Sequence, residues 1–175
     1  CGLTEKSLSR QHILLEVHAN SRSWRDVTWM VEKIKRQKWA NGLEVLPQKM
    51  DKLPFCAQVQ IFARAHVAIL HHGAAVAGNG IFMPDDGVLV ELCAQYNMSN
   101  VLWYQSAEPL FTDCGSREWA KAVGRNYIGS ASAFWAGHEG EAAGNYYYKR
   151  GHADRIDVNH TRWFWTMDAI SSVRD

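Results

Sequence analysis

Short apolar runs alternate along the chain with longer amphipathic stretches. The apolar runs predict strands at 13–17, 43–46, 67–70, 88–92, 101–104 and 127–128. Amphipathic or capped stretches predict helices at 23–39, 54–63, 116–124 and 161–173, and a short helix that follows the glycine-rich turn is predicted to end near Phe82. This alternation is typical of an α/β fold, here a Rossmann-like parallel sheet with right-handed crossovers and helices on both faces. We expect residues 1–175 to form a single domain.

Composition narrows the class of protein. With 175 residues, 47% of them hydrophobic and 21% charged, the chain fits one ordinary soluble globular domain. The net charge of +1 predicts no electrostatic attraction to nucleic acid or to a membrane surface. No apolar segment approaches the roughly 20 residues that cross a bilayer. The 4 cysteines form no CxxC pair, which argues against a zinc site, and they permit disulfides without requiring them.

Two N-glycosylation sequons, at Asn97 and Asn159, favour a protein of the secretory pathway, in the lumen of the endoplasmic reticulum or Golgi. Residues 129–151 show no clear period and contain several glycines and aromatic residues. They are predicted to form a long loop, and loops of that length are usually functional or mobile.

The stretch 65–84 organises the predicted fold. Its apolar run, 67–70, is followed by His71, His72 and Gly73 and then by small residues as far as Gly80. Small residues let a ligand approach the backbone closely. In open α/β sheets, ligands bind at the carboxyl ends of strands, and the N–H groups that begin a helix attract anions. The His-His-Gly turn is therefore a candidate anion site.

Basic side chains follow two of the predicted strands. Arg22 lies just after the first strand, where a guanidinium can hold a diphosphate through two hydrogen bonds; the alternative is a surface arginine at a helix start. Arg25 is a weaker candidate. Of His71 and His72, side-chain alternation lets one face the crevice while the other packs under the sheet edge, and the pattern leaves open which. His66 is predicted to precede the strand, roughly 10 Å or more away, which argues against a metal cluster.

Two further polar residues belong to the same candidate site. Asn79, late in the small-residue segment, either binds ligand or caps the short helix. Glu91, at the predicted end of the fourth strand, either accepts hydrogen bonds from ribose hydroxyls or forms a salt bridge, for example with Arg22. Asp85 and Asp86 are expected to be solvated.

A pattern of single residues and short motifs runs from the second predicted helix to the fourth predicted strand: Gln58, His72-Gly73-Ala74, Asn79, Phe82-Met83-Pro84, Gly87 and Glu91-Leu92. In this pattern the chain resembles glycosyltransferase family 61, which includes plant β-1,2-xylosyltransferase and the EGF-domain O-GlcNAc transferase. The resemblance covers most of 22–92 and continues loosely through 119–127.

The resemblance implies a two-domain GT-B enzyme that transfers a sugar from a nucleotide sugar, most plausibly a UDP-sugar, with inversion. The acceptor would be a hydroxyl of a glycan or protein. This chain would be the C-terminal, donor-binding half, with the acceptor side and general base in an upstream half. No metal is obligatory, because helix N-termini and basic side chains can stabilise the leaving diphosphate. The implied donor-binding residues are Arg22, His72, Gly73, Ala74, Asn79 and Glu91; no catalytic residue is assigned.

A different class of function stays open beside this one. The chain would then be a non-catalytic interaction domain derived from the same fold. Its partner protein would contact an aromatic surface formed by Phe134, Trp135 and Tyr146–Tyr148. A crevice filled by residues 129–151 would favour this alternative, whereas an open crevice would favour donor binding. A nucleotide-dependent oxidoreductase is disfavoured because no GxGxxG follows the first strand.

Overall fold

A computed structural model describes residues 1–4, 12–17, 24, 26–71, 73–95, 116–135, 156–158 and 160–174. The strands are β1 His12–Glu16, β2 Glu44–Gln48, β3 Ala65–His71, β4 Val88–Gln95, β5 Asn126–Trp135 and β6 Ile156–Val158. The α-helices are α1 Val27–Lys35, α2 Phe55–Phe62, α3 Ala74–Asn79, α4 Arg117–Ala122 and α5 His160–Arg174. Short 3-10 helices occupy Lys38–Ala40, Met50–Lys52 and Gly80–Phe82.

The described strands form a sheet in the order β2-β1-β3-β4-β5-β6. Strands β1 to β5 are parallel, and β6 adds an antiparallel edge to β5. The predicted α/β parallel sheet is therefore confirmed, with an antiparallel edge strand that the pattern did not predict. The order 2-1-3-4-5 is one of the two common doubly wound arrangements, in which the direction of winding reverses between β1 and β3.

Helices cover both faces of the sheet. Strand β3 is buried along its whole length, as expected for a parallel strand covered on both sides. On one face, α1 and α5 pack against a core that includes Ile13, Leu15, Ile69, Met30, Ile34, Trp163 and Ile170. We call this the α1 face. On the other, the α3 face, α2, α3 and α4 pack against residues that include Leu14, Leu70, Leu89, Phe62, Val76 and Trp119.

The first helix is shorter than predicted. It begins at Val27, with Asp26 at the N-cap and no side-chain cap bond, and it ends at Lys35. Trp24 lies before the helix because its indole N–H donates to the carbonyl of Glu16 (2.8 Å), which holds this residue beside β1. The helix periodicity of 23–39 could not reveal this long-range hydrogen bond.

The last part of the sheet also differs from the prediction. The expected two-residue strand at 127–128 is the ten-residue β5, so residues 129–135 of the predicted loop are strand. They extend because β4, also longer than predicted, continues to Gln95 and pairs with them. The rest of that loop, 136–151, and the predicted strand at 101–104 lie outside the described residues.

The spacing of Phe55, Val59 and Phe62 in the sequence places them on one face of the second helix. Val59 and Phe62 are buried, but Phe55 is 61% exposed and meets Phe82 edge-on, with ring centroids 6.0 Å apart. Pro54 stands at the N-cap position and Phe55 is the first helical residue. This start of α2 therefore lies outside the core that its last turn enters.

A disulfide between Cys1 and Cys56 ties the first residue to the first turn of α2. Gln60, one turn further on, donates its amide to the carbonyl of Cys1 (2.7 Å). The cysteines that the sequence only permitted to pair thus include one bonded pair. The side chains of Cys93 and Cys114 lie outside the described part of the chain. Within that part, no helix has the length and apolar character that a membrane span requires.

Candidate functional site

The winding of the sheet reverses between β1 and β3, and this places a candidate site at their carboxyl ends. From β1 the chain crosses to β2 through α1 on one face, and from β3 it crosses to β4 through α3 on the other. The two connections diverge, and in folds of this type ligands bind at the carboxyl ends of the strands where this reversal occurs. Glu16, Trp24, His71 and Gly73 are the described residues around this point.

Glu16 is the last residue of β1 and is only 2% exposed. Its Oε2 accepts a hydrogen bond from the backbone N–H of His71, the last residue of β3 (3.2 Å). Carboxylates are almost never buried this deeply unless they are paired or hydrogen-bonded. Glu16 is not among the residues that the sequence predicted for the site. The available signal was a carboxylate at the end of an otherwise apolar run, the position at which parallel strands present ligand-binding side chains.

Trp24 and His71 pack together across the same strand ends. Their ring centroids are 5.6 Å apart and tilted by 55°, and both side chains are buried. Trp24 belongs to the core of the α1 face, so the His71 imidazole is covered from that side. His71 therefore packs beneath the sheet edge. His72 lies outside the described residues, as do Arg22 and Arg25.

The turn after β3 leads directly into α3, as predicted. The carbonyl of Gly73 accepts the N–H of Val76 (3.1 Å), and Ala74 is the first helical residue. Gly73 and Ala74 thus bring backbone, without a large side chain, to the carboxyl end of β3. Of the six residues predicted to bind the donor, these two are the ones that the structure describes next to the crevice.

Asn79 is the last residue of α3 and makes no side-chain cap bond to the 3-10 turn that follows. Its Nδ2 donates instead to Oε1 of Gln58 on α2 (2.8 Å), and Gln58 donates in turn to the carbonyl of Leu53 (2.9 Å). Five residues of helical rise place Asn79 about 8 Å along the helix axis from Ala74. Two residues that carry the family resemblance, Gln58 and Asn79, therefore connect α2 to α3.

Glu91 lies beside Leu70 in the β3–β4 register and is fully buried. Its Oε1 accepts from the Ser116 hydroxyl (3.0 Å) and its Oε2 from the Tyr127 hydroxyl (2.5 Å). It does not end its strand as predicted, because β4 runs on beside β5. Ser116 was expected to cap α4, but it makes no cap bond and its hydroxyl is directed to Glu91. A ribose hydroxyl could reach Glu91 only by sharing or replacing these protein donors.

Two buried histidines lie towards the opposite, amino edge of the sheet. His66 is the second residue of β3 and not a residue before it, and five steps of strand place it about 16 Å from His71. His12 begins β1, next to Ala65 in the register. Burial lowers the pKa of His12, and the charge of Arg64 lowers it further, against a backbone hydrogen bond at Ile61 and the charge of Glu44, which raise it. These histidines are separate from the crevice.

Charged and metal-binding groups complete the description. Asp85 was expected to be solvated; its side chain is 97% exposed and also accepts a hydrogen bond from Nη1 of Arg125 (2.6 Å). Among the described residues, no three His, Cys, Asp or Glu side chains are grouped so that they could hold a metal ion. The side chains of Phe134, Trp135 and Tyr146–Tyr148 lie outside the described part, so the interaction surface stays a prediction.

Comparison with known proteins assigns the chain to no family. No family model matches the chain, and no curated protein matches it significantly. The class that the structure defines is therefore an α/β protein with five parallel strands, doubly wound, with helices on both faces and a switch point between β1 and β3.

Proposed function

We propose that this chain is the donor-binding domain of an inverting glycosyltransferase and that it binds a nucleotide sugar, with a UDP-sugar as the expected donor. One observation carries the proposal: the winding of the sheet reverses between β1 and β3. These are the two strands after which the candidate diphosphate-binding residues stand in the sequence. Arg22 precedes Trp24 by two residues and His72 follows His71 by one. Both therefore flank side chains that pack together at the strand ends.

In this proposal, Arg22 and His72 hold the diphosphate, and the backbone of Gly73 and Ala74 lets it approach closely. A guanidinium suits this role because it presents paired donors to phosphate oxygens. Asn79 and Glu91 are the remaining donor-site residues. Their hydrogen bonds to Gln58, Ser116 and Tyr127 support a role in shaping the pocket wall on the α3 face.

The proposed reaction is a direct displacement. A hydroxyl of a glycan or protein acceptor attacks the anomeric carbon, and the nucleoside diphosphate leaves with inversion at that carbon. The proposal places the acceptor side and the general base in a second, GT-B-type half, and it requires no metal for this step. The chain's own contribution is to bind and orient the donor.

The disulfide supports the proposed location in the lumen of the endoplasmic reticulum or Golgi. Structural disulfides persist in oxidising compartments and are rare in the cytosol. The Cys1–Cys56 bond thus agrees with the sequons at Asn97 and Asn159. Both asparagines lie outside the described residues, and their modification belongs to the proposal.

Isothermal titration calorimetry with UDP tests the proposal. We expect weak, measurable binding to the folded chain, and we expect both Arg22→Ala and His72→Ala to abolish it. Arg36→Ala and His160→Ala are matched controls, because both residues are exposed on the helices of the α1 face, and they should bind UDP as the wild type does. Full-strength binding in both test variants would reject the site, and no binding to the wild type would reject the function.

A further inference from the structure

We propose that Glu16 is a positioning residue for the turn after β3, and that its side chain holds this turn in the conformation that binds the donor. The inference rests on the proposed function for its effect on UDP. The hydrogen bond itself can be tested without any ligand. Glu16 would act through the backbone of His71 and need not touch the donor.

The backbone pairing of β1 with β3 stops before the turn, and a side chain connects the two strands beyond that point. The paired residues of the two strands end at Leu15 and Ile69, one residue short of Glu16 and two short of His71. Beyond that pair, the Glu16 carboxylate accepts the N–H of His71 at 3.2 Å. His71 is paired with Leu92 of β4 on its other side, so the Glu16 side chain supplies the connection of this end of β3 to β1, just where the turn begins.

Glu16 also fixes the chain on the other side of the crevice. Its backbone carbonyl accepts the indole N–H of Trp24 at 2.8 Å, and the Trp24 ring packs on the His71 imidazole. The carboxylate of Glu16 thus holds the end of β3, and its backbone carbonyl holds the segment that follows β1. Arg22 and His72 neighbour Trp24 and His71 in the sequence, so loss of the Glu16 side chain is expected to lower UDP affinity.

The chemistry predicts which substitutions preserve this arrangement. Glu16→Gln retains an oxygen that can accept the His71 N–H, whereas Glu16→Ala leaves that buried donor without this acceptor. A positioning role therefore predicts rescue by glutamine. A carboxylate that bound the donor directly through its charge would not be replaced by glutamine.

The first measurement is hydrogen exchange of the His71 amide by NMR, without ligand. We expect slow exchange in the wild type and in Glu16→Gln, and exchange faster by about tenfold in Glu16→Ala. Ser130→Ala is the matched control, since it removes a buried hydrogen bond between Ser130 and Thr166 on β5 and α5, and it should leave His71 exchange unchanged. Unchanged exchange in Glu16→Ala would overturn the inference.

The second measurement is UDP affinity in the same variants. We expect Kd to rise about tenfold in Glu16→Ala and to stay within about twofold in Glu16→Gln and Ser130→Ala. Faster exchange of His71 with unchanged UDP affinity would overturn the inference while the proposed function stands. Failure of Glu16→Gln to restore affinity would also overturn it. No UDP binding to the wild type would reject the proposed function, and the donor-binding role of Glu16 with it.

A milder variant keeps the test decisive if Glu16→Ala does not fold. Trp24→Phe removes the indole donor to Glu16 and retains an aromatic ring beside His71. We then expect amide exchange at His71 to be about threefold faster and the Kd for UDP to be about threefold higher. The hydrogen bond from Trp24 to the Glu16 carbonyl is lost, whereas the aromatic packing on His71 is largely kept. Wild-type values for both quantities in Trp24→Phe would count against the inference.

Discussion

The two faces of the sheet are held to their helices by different kinds of interaction. The α1 face buries large apolar side chains, among them Trp163, Met30 and Ile34, and has one described buried hydroxyl pair, Ser130 with Thr166. The α3 face combines smaller apolar groups with directional links from Asn79 and Glu91. Apolar burial is non-directional, whereas hydrogen bonds fix positions. The α3 face is therefore the one suited to hold a ligand-binding turn in place.

On the outer side of the α1 face, the contacts between helices α1 and α5 are also made by large side chains. Trp29 on α1 stacks on His160 of α5, with centroids 4.0 Å apart and an interplanar angle of 14°. The Lys33 ammonium lies 5.6 Å from the Trp29 ring and 5.7 Å from the Phe164 ring. Helices α1 and α5 are thus joined by aromatic and cation–π contacts, which extend the area of contact between the two helices towards the protein surface.

The largest expected effect comes from the apolar core of the α1 face. Trp163→Ala removes a fully buried indole between α5 and the sheet, so we expect a loss of about 3–5 kcal/mol in the free energy of unfolding. Urea denaturation measures it. UDP affinity of the folded fraction should not change, because the hydrogen bond at the start of the turn after β3 comes from Glu16 and not from Trp163. A fall in affinity parallel to the loss of stability would break the comparison.

A smaller effect tests close packing on the α3 face with a matched glycine pair. A Cβ at Gly80 would lie 3.2 Å from both Leu89 Cδ2 and Trp119 Cη2, whereas one at Gly78 would meet nothing within 4 Å. Gly80→Ala should therefore cost about 1 kcal/mol through overpacking. Gly78→Ala should be neutral or stabilise by about 0.5 kcal/mol, because alanine favours helix. Thermal unfolding of both variants checks this, and equal effects at the two sites would contradict it.

The smallest expected effect concerns His12 and pH. Burial lowers the pKa of His12 below its ordinary 6.5, so the unfolded chain binds a proton before the folded chain does. This contribution therefore destabilises the fold as pH falls below 6.5 towards the lowered pKa and vanishes at higher pH. Urea unfolding between about pH 7.5 and 5.5 should show a shallower pH slope for His12→Gln than for the wild type.

A second variant sharpens the pH test. The charge of Arg64 lowers the pKa of His12, so Arg64→Gln should also make the pH dependence shallower, by less than His12→Gln does. A steeper slope in either variant would show that burial at the amino edge of β1 does not act as described.

Local patterns predicted those parts of the fold whose causes are local. The apolar run 67–70 lies within β3, and the helix expected at 161–173 is α5, His160–Arg174. The turn at Gly73 and Ala74 stands at a strand end as expected. In each case, periodicity or small side chains within a short window are sufficient to fix the structure.

The remaining features depend on partners far along the chain. Gly129 and Ser130 lack a strand pattern, yet they extend because β4 lies beside them. Ser116 looks like a helix cap until Glu91, 25 residues earlier, offers a buried acceptor. Glu16 lies at the candidate site because His71, 55 residues later, ends the adjacent strand. The short windows from which helices and strands are predicted do not contain both members of such a pair.

The Cys1–Cys56 bond encloses β1, α1 and β2 in one covalent ring whose two ends are 55 positions apart in the sequence. A protease that cleaves once anywhere inside this ring would yield two fragments that still migrate together on a non-reducing gel. The nicked chain would then separate only after a thiol is added. A single cleavage between Cys56 and Cys93 would release a separate piece at once, so gels run with and without reductant would distinguish the two positions of the cut.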